Sequence, residues 1–315
     1  MMKIILNKII LISAMFISIL VALSQAKAQT NDSYLSEYHN RYSAYLNESN
    51  DWSEEYKILV DKKMRELFLL NWKEDRWDIV KRYPIGLSKT AGILKETRKI
   101  NSNYAYLIVD ATGHYSSVVD GQFNPTNNAI KGNNIVTVDV NKREIFLYQF
   151  TLGKWSKTEK LYRPKDKIVL GNNIVWFLNG RFIILQNKDL EPKKKRNDYR
   201  TPEGRYYVAN INPASSWGLD TSTFGKIPSL LLSYPGLDNA AQAVEEGVID
   251  HNSYEAVAQS VSNSGVPPQG TQLGGYIMIH GGGAYDWTAG CIALDNGDLK
   301  ELLMYVKPHT PVEII

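Results

Sequence analysis

The sequence is poor in several features that define whole classes of protein. Its 315 residues include one cysteine and five histidines, and the formal charge is only +3. A single cysteine excludes an intramolecular disulfide scaffold and any zinc ribbon that needs two thiolates from one chain. A charge this small gives no support to a nucleic-acid partner. The apolar fraction of 43% is nevertheless ordinary for a folded protein, and the length suggests about two domains.

Long apolar runs are also missing. The uncharged run at residues 9–23 has 15 residues, fewer than the roughly 20 that a membrane-spanning helix needs. Lys3 and Lys8 stand at its start, and Ala26-Lys27-Ala28 follows it as an A-x-A cleavage signal. We therefore expect residues 1–28 to be a secretory signal peptide, with an uncleaved anchor as the alternative. The three lysines of this segment account for the whole formal charge, so the mature protein is expected to be exported, nearly neutral and without a stable membrane span.

Periodicity divides the remaining chain into an α-rich or α+β region, 29–130, and a mostly β region, 131–315. A helical pattern is predicted over 30–85 from the apolar residues Leu59, Met64, Leu67, Leu70 and Trp72. Residues 104–109 are rich in aromatic and β-branched side chains, which predicts a strand. The Asn/Gly/Pro-rich stretch 121–134 marks the predicted boundary. The role of 29–130 stays open between packing on the second region, gating its cleft and binding glycan.

The second region carries several local structure signals. Asn179-Gly180 lies between two apolar runs, which is the strongest short-range signal for a β-hairpin. Residues 238–263 are predicted to be helical, and 276–279 form an apolar strand that ends at His280. Asp295 begins a helix predicted to extend to Val306, and 311–315 form a closing strand. These signals predict short strands with few helices.

The candidate chemistry lies near the C-terminus. His280 precedes Cys291 by eleven residues, and four glycines lie between them. A neighbouring imidazole can take the proton of a thiol and form an ion pair that favours the nucleophilic thiolate. A carbonyl near Gly281 can orient the imidazole, and the backbone N–H groups at Gly290 and Cys291 can hold a developing oxyanion. Two ligands are too few for a metal site, so we do not expect a metal.

Purely structural roles for the same residues stay open as alternatives. A lone cysteine is usually a small buried apolar residue, and Trp287 and Thr288 can pack in the core as well as line a cleft. The run Lys193–Arg196 can bind an anionic wall polymer, although Glu191 and Asp198 beside it favour a solvated loop.

The cysteine segment resembles a known signature. His280-Gly281 followed by Thr288-Ala289-Gly290-Cys291-Ile292-Ala293-Leu294 is similar to the motif of the L,D-transpeptidase catalytic domain, the YkuD type. The stretches 200–206, with Thr201-Pro202-Glu203-Gly204, and 267–275, with Pro267-Pro268-Gln269, also resemble that family. Two positions depart from its pattern, since Ala289 stands where many members have histidine and Ala293 where many have arginine.

The resemblance implies a YkuD-like β-sandwich with short helices and a peptidoglycan substrate. Cys291 would be the nucleophile and His280 the general acid/base, with Gly281, Gly290, Thr288, Trp287 and Tyr234 around them. A thioester formed with a stem peptide would pass to an amine, for cross-linking or for attachment of an envelope protein. Transfer to water would give an L,D-carboxypeptidase or endopeptidase, and a non-catalytic binding protein is the third alternative. The resemblance also implies location in the periplasm or cell envelope.

Overall fold

The computed structural model describes residues 54–110, 115–125, 133–140, 144–152, 154–162, 167–170, 173–178, 180–213 and 227–315. Strands dominate these residues, which confirms the mostly β fold class. The described strands are β1 (Tyr56–Asp61), β2 (Glu66–Lys73), β3 (Arg76–Pro84), β4 (Gly92–Lys99), β5 (Tyr104–Asp110), β6 (Tyr115–Asp120), β7 (Asn133–Asp139), β8 (Glu144–Thr151), β9 (Lys154–Tyr162), β10 (Lys167–Leu170), β11 (Asn173–Leu178), β12 (Arg181–Asn187), β13 (Gly204–Asn212), β14 (Ser229–Leu232), β15 (Met278–His280), β16 (Ile292–Ala293) and β17 (Pro311–Ile314). The described helices are α1 (Leu237–Glu245), α2 (His251–Ser262) and α3 (Asn296–Leu302).

The largest sheet combines strands from both ends of the described chain. Its order is β16-β15-β14-β13-β17-β1-β2-β3. β17 pairs in parallel with β1, where Ile58 lies opposite Val312, and antiparallel with β13 on its other side. The strands and helices of 204–314 therefore share one apolar core with β1, β2 and the segment 83–91. The predicted boundary near 130 falls in a part of the chain that the structure does not describe, so it stays a prediction.

The helix predicted over 30–85 is wrong for 56–84, where β1, β2 and β3 form an antiparallel meander. Residues 66–71 of β2 are all buried, so this strand is covered on both faces. A strand of that kind has a nearly continuous apolar run, whose spacing fits a helix and a strand equally well. Residues 30–53 of the same prediction, and the predicted signal peptide, lie outside the described residues.

Most of the later local signals are confirmed. β11 and β12 form the predicted hairpin, with Leu178 opposite Arg181. β15 ends at His280, and β17 closes the described chain. The helical stretch 238–263 is two helices, α1 and α2, and the last helix, α3, ends at Leu302 rather than Val306. No described helix combines the length and the apolar composition that crossing a bilayer requires.

Two smaller sheets lie between β3 and β13 in the sequence. The four-stranded sheet has the order β10-β11-β12-β4, and the five-stranded sheet has the order β6-β5-β7-β8-β9. They pack around a common apolar core that includes Leu107, Val136 and Val138 from one sheet and Val175, Phe182 and Ile184 from the other. The part of the chain between β3 and β13 thus forms a β-structured insertion whose strand β10 reaches the site described next.

Candidate active site

Parallel pairing of two short strands brings Cys291 beside His280. Ile279 of β15 lies opposite Ile292 of β16, and His280 lies opposite Ala293. Cys291 immediately precedes β16, so the register places it two positions before His280 on the adjacent strand. Alternate residues of a strand face the same side of the sheet. The two residues that the sequence singled out therefore lie at one end of the eight-stranded sheet.

His280 is buried and held by its own neighbours. Its side chain is 2% exposed, and Nδ1–H donates to the Gly281 carbonyl oxygen at 2.7 Å. The Trp287 ring meets the imidazole edge-on, with 5.4 Å between ring centroids. Burial lowers the pKa of His280 to about 4, although the hydrogen bond to Gly281 acts in the opposite direction. The imidazole is therefore neutral near pH 7, and Nε2 can accept a proton.

Cys291 is half-buried, and its thiol donates to the Tyr276 carbonyl oxygen at 3.4 Å. Burial raises the pKa of the Cys291 thiol to about 11, while a backbone hydrogen bond from Met278 and the charge of Lys193 lower it. At neutral pH the resting pair is thus a thiol and a neutral imidazole. Both pKa values disfavour the thiolate–imidazolium ion pair that the sequence left possible.

The loop before Cys291 uses its own polar groups to hold its shape. The Thr288 hydroxyl donates to the Cys291 carbonyl oxygen at 2.8 Å and accepts from the Gly290 N–H at 3.2 Å. Gly290 has a φ of +123°, and a Cβ there would lie 2.6 Å from the Arg200 carbonyl oxygen. Thr288 is therefore buried within the loop, where substrate contact was expected. The Gly290 N–H, expected to bind an oxyanion, is already engaged by Thr288.

Two aromatic residues expected to bind substrate lie in different surroundings. Tyr234 is fully buried, and its hydroxyl donates to the Leu273 carbonyl oxygen at 3.2 Å. Its ring packs on Tyr206 in the apolar core, and none of its surface is exposed for the expected substrate contact. Trp287 packs against His280, and its indole N–H donates to the Gly283 carbonyl oxygen at 3.2 Å. Its contacts support the orientation of the imidazole.

A cavity of about 470 Å³ opens beside the thiol. One wall carries Cys291 and Ala289, and the others come from the segments 193–199 and 269–277. Ala289 therefore leaves space at the cavity wall where many members of the resembled family place histidine. Ala293 is fully buried, so it does not face this space. Among the described residues, no group of three or more His, Cys, Asp or Glu side chains has the arrangement of a metal site.

The segment 85–91, which follows β3, is bonded directly to the cysteine loop. Gly86 and Ala293 exchange two backbone hydrogen bonds, at 2.8 and 2.9 Å. The Leu87 carbonyl oxygen accepts from the N–H groups of Trp287 and Thr288 at 3.0 and 3.1 Å. A Cβ at Gly86 would lie 1.9 Å from the Tyr285 carbonyl oxygen, so only glycine permits this approach. The sequence analysis missed this segment.

A buried ion pair between Arg65 and Asp286 supports the loop that precedes Cys291. The Arg65 guanidinium donates to both carboxylate oxygens of Asp286, and the side chains are 0% and 5% exposed. Asp286 also accepts from the Leu87 N–H at 2.8 Å, and Arg65 donates to the carbonyl oxygens of Lys62 and Ala91. Arg65 lies in the turn between β1 and β2, a place where a charged residue gives no signal of burial.

Lys167 of β10 is another buried cation at this loop. Its ammonium donates to the carbonyl oxygens of Ile85 and Ala284, at 2.5 and 2.7 Å, and lies 4.7 Å from the ring centroid of Trp176. Burial lowers the pKa of Lys167 to about 7, with the Asp286 carboxylate acting in the opposite direction. The four-stranded sheet thus contacts the loop that precedes Cys291.

A comparison with known protein families agrees with the motif. The YkuD family, described as the L,D-transpeptidase catalytic domain, matches residues 133–314, which is more than half of the chain. Similar solved structures include Bd1075 of Bdellovibrio bacteriovorus, with 14% identity, a TM-score of 0.36 and coverage of 86% of this chain and 51% of that one. They also include the helical cell shape determining protein Pgp2 of Campylobacter jejuni, with 16% identity, a TM-score of 0.27 and coverage of 72% and 51%. This chain thus spans about half the length of each of these structures. No curated protein has significant sequence similarity to it. By the family match, the chain belongs to the YkuD family of L,D-transpeptidase catalytic domains.

Proposed function

We propose that this protein is a cysteine-dependent acyltransferase that acts on the peptide stems of peptidoglycan. The observation that carries the proposal is the Cys291 thiol in the wall of a cavity, at the start of the strand that pairs with the strand of a neutral His280, whose Nδ1 is fixed by Gly281. Family membership supports the substrate class. The reaction needs no metal or organic cofactor, because the thiol and the imidazole supply the nucleophile and the proton transfers.

The first half of the reaction forms a thioester. His280 Nε2 takes the thiol proton as Cys291 Sγ attacks the amide carbonyl at the L-centre of the stem's diamino acid, for which we propose meso-diaminopimelate. Coupling proton transfer to attack suits a thiol pKa of about 11, because little free thiolate exists beforehand. The Cys291 backbone N–H is the proposed oxyanion donor, in place of the engaged Gly290 N–H. Collapse of the intermediate releases D-alanine, whose amine takes the proton from the His280 imidazolium.

The second half decides the type of enzyme. An amine acceptor attacks the thioester, gives a proton to His280 and restores the Cys291 thiol, which makes the enzyme an L,D-transpeptidase. The acceptor is a second stem in cross-linking or an amine of an envelope protein in attachment. Water in the same place gives an L,D-carboxypeptidase or endopeptidase. Cys291 is half-buried rather than sealed from solvent, and this observation favours keeping hydrolysis as the second candidate.

The setting of the reaction is part of the proposal. Residues 1–28 would direct export and then be removed, which places the enzyme in the periplasm or cell envelope. We propose 131–315 as the catalytic domain, to which β1–β3 add strands of the same sheet. We propose that the segment 85–91 holds the cysteine loop, since it is bonded to Trp287, Thr288 and Ala293.

Product analysis tests the proposal. Purified protein is incubated with tetrapeptide stems, with and without added amine, and free D-alanine and cross-linked dimers are quantified. Dimers together with D-alanine identify a transpeptidase, whereas D-alanine without dimers at every amine concentration identifies the hydrolase. Cys291→Ala should abolish both products while the fold persists, because the half-buried thiol is replaced by a smaller side chain. Absence of both products from the wild-type protein would leave only the non-catalytic binding alternative, whereas products that persist in Cys291→Ala would exclude Cys291 as the nucleophile.

A further inference from the structure

The cavity beside Cys291 has a cationic wall. Two of its lining residues, Lys193 and Arg196, are basic, and none of the described residues that line it is acidic. Both cations come from the segment between β12 and β13, which the sequence analysis left between a solvated loop and an anion site. A cavity with this balance of charge favours an anionic ligand. Whether each cation is already paired with a carboxylate of the protein decides whether it can bind that ligand.

Lys193 is already occupied. Its ammonium lies 2.7 Å from an Asp198 carboxylate oxygen and 2.8 Å from the Lys195 carbonyl oxygen, and its side chain is 5% exposed. Asp198 also accepts from the backbone N–H groups of Lys194, Lys195 and Arg200. Although burial acts in the opposite direction, these donors hold the pKa of Asp198 below its ordinary value. Lys193 and Asp198 thus fix the shape of the loop and neutralise each other.

Arg196 has a fixed backbone and an exposed head group. Its N–H donates to the Gln272 carbonyl oxygen at 2.6 Å, which ties the loop to the opposite wall of the cavity. Its guanidinium extends toward Gly270, where an added Cβ would lie 3.9 Å from an Arg196 Nη atom. Across the described ranges of the chain, no carboxylate lies within ion-pair distance of Arg196. Its guanidinium is the cavity's cationic group that is not already neutralised.

We propose that Arg196 is a specificity-determining residue that binds a carboxylate of the acyl-donor stem. The inference rests on the proposed function, because it concerns the substrate of the same site. A guanidinium presents paired N–H donors in a planar fork that matches a carboxylate, which a lysine ammonium cannot reproduce. The stem offers two such groups near the scissile bond, the terminal carboxylate of the leaving D-alanine and the free carboxylate of the diamino acid. Binding to the terminal group would restrict the enzyme to stems that end one residue beyond that bond.

The test compares Arg196→Gln and Arg196→Lys with a control on the same loop, Lys194→Gln. Lys194 is exposed and is held through its backbone N–H, and it does not line the cavity. Release of D-alanine from a tetrapeptide stem is measured as kcat/KM for each protein. The equilibrium affinity of the same stem is measured with Cys291→Ala added to each variant. Two further stems carry an amide in place of the terminal carboxylate or of the diamino-acid carboxylate. Alkylation of Cys291 by the neutral reagent iodoacetamide reports whether the thiol is disturbed.

We expect Arg196→Gln to lower kcat/KM and affinity roughly 10- to 100-fold, as loss of a charged hydrogen bond predicts. Arg196→Lys should recover part of the loss, and Lys194→Gln and the alkylation rates should match wild type. One amidated stem should bind the wild type as weakly as the unmodified stem binds Arg196→Gln, which identifies the carboxylate. The inference would be overturned if Arg196→Gln had wild-type kcat/KM and affinity, or if its affinity fell by the same factor for the unmodified stem and for both amidated stems. Either result would leave the proposed acyltransferase activity intact. A wild-type protein that neither binds nor converts the stem would instead overturn the proposed function, and the inference with it.

Discussion

The ion pair between Arg65 and Asp286 provides the sharpest test of how the cysteine loop is held. Both side chains are buried, and the guanidinium also donates to the carbonyl oxygens of Lys62 and Ala91. Arg65→Met keeps an unbranched side chain as far as the position of Nε but removes the guanidinium and every one of these donors. Asp286 then keeps only the Leu87 N–H among the partners described above, and its charge stays buried at the base of the loop.

The magnitude follows from that burial. Removing one partner of a buried ion pair typically costs about 3–5 kcal/mol, because the other charge is left without compensation. An exposed pair gives a matched control, since Lys81 lies 2.7 Å from Glu301 with side chains 38% and 37% exposed. Lys81→Met should cost less than about 1 kcal/mol, because solvent screens that pair. Denaturant unfolding at pH 7 gives the free energy of unfolding of all three proteins.

Two chemical measurements separate positioning from general destabilisation. Asp286 connects through Leu87 to Thr288, which holds the Gly290–Cys291 segment. A loosened loop admits water to the thiol, so the Cys291 pKa should fall toward its ordinary value and alkylation at pH 8 should become faster. Release of D-alanine should become slower, because the thiol and His280 are no longer held together. This reasoning would be refuted if Arg65→Met lost less than about 1 kcal/mol of unfolding free energy and kept wild-type rates of Cys291 alkylation and D-alanine release.

Three further predictions concern the same loop. The alkylation rate of Cys291 should rise continuously from pH 7 to pH 10, since burial raises the thiol pKa to about 11; a plateau near pH 7 would instead reveal an ion pair with His280. The pKa of Lys167 is about 7 in the folded protein and its ordinary value is 10.5. Between pH 7 and pH 10.5, Lys167 is therefore protonated in the unfolded chain but mostly neutral in the folded protein. Wild-type stability should therefore rise by about 3.5 kcal/mol between pH 7 and pH 10 relative to Lys167→Met, measured by denaturation at both pH values, and parallel pH profiles would contradict this. Gly86→Ala should cost about 3 kcal/mol or more in unfolding free energy and slow D-alanine release, because the new Cβ would meet the Tyr285 carbonyl at 1.9 Å; a variant with wild-type stability would show that this contact is not as described.

Local signals predicted the parts of the fold that depend on neighbouring residues. Asn179-Gly180 supplies the backbone freedom of a tight hairpin, and the structure has that hairpin between β11 and β12. The strand that ends at His280 was also found from composition. The helix predicted over 30–85 failed at 66–71 because β2 is buried there on both faces, which removes the alternation that distinguishes a strand from a helix.

Contacts between residues that are far apart in the chain could not be predicted from the sequence. Arg65 and Asp286 are 221 positions apart, and neither residue type signals that the other will be its partner. The segment 85–91 likewise has no motif that would place it against Ala293. Within the cysteine motif, the residue types indicated the candidate chemistry, but they did not predict which hydrogen bonds the polar groups make. Thr288 and the Gly290 N–H satisfy each other inside the loop, and this depends on backbone geometry that the sequence does not state.

The central claim is that Cys291 carries the acyl group of the stem. It is tested by mixing the protein with a tetrapeptide stem, quenching with acid within the first turnover and measuring the intact mass and the peptide map. We expect an added acyl group on the peptide that contains Cys291, with loss of D-alanine, and no such adduct on Cys291→Ala. D-alanine release without any adduct on Cys291, or the same adduct on Cys291→Ala, would contradict it.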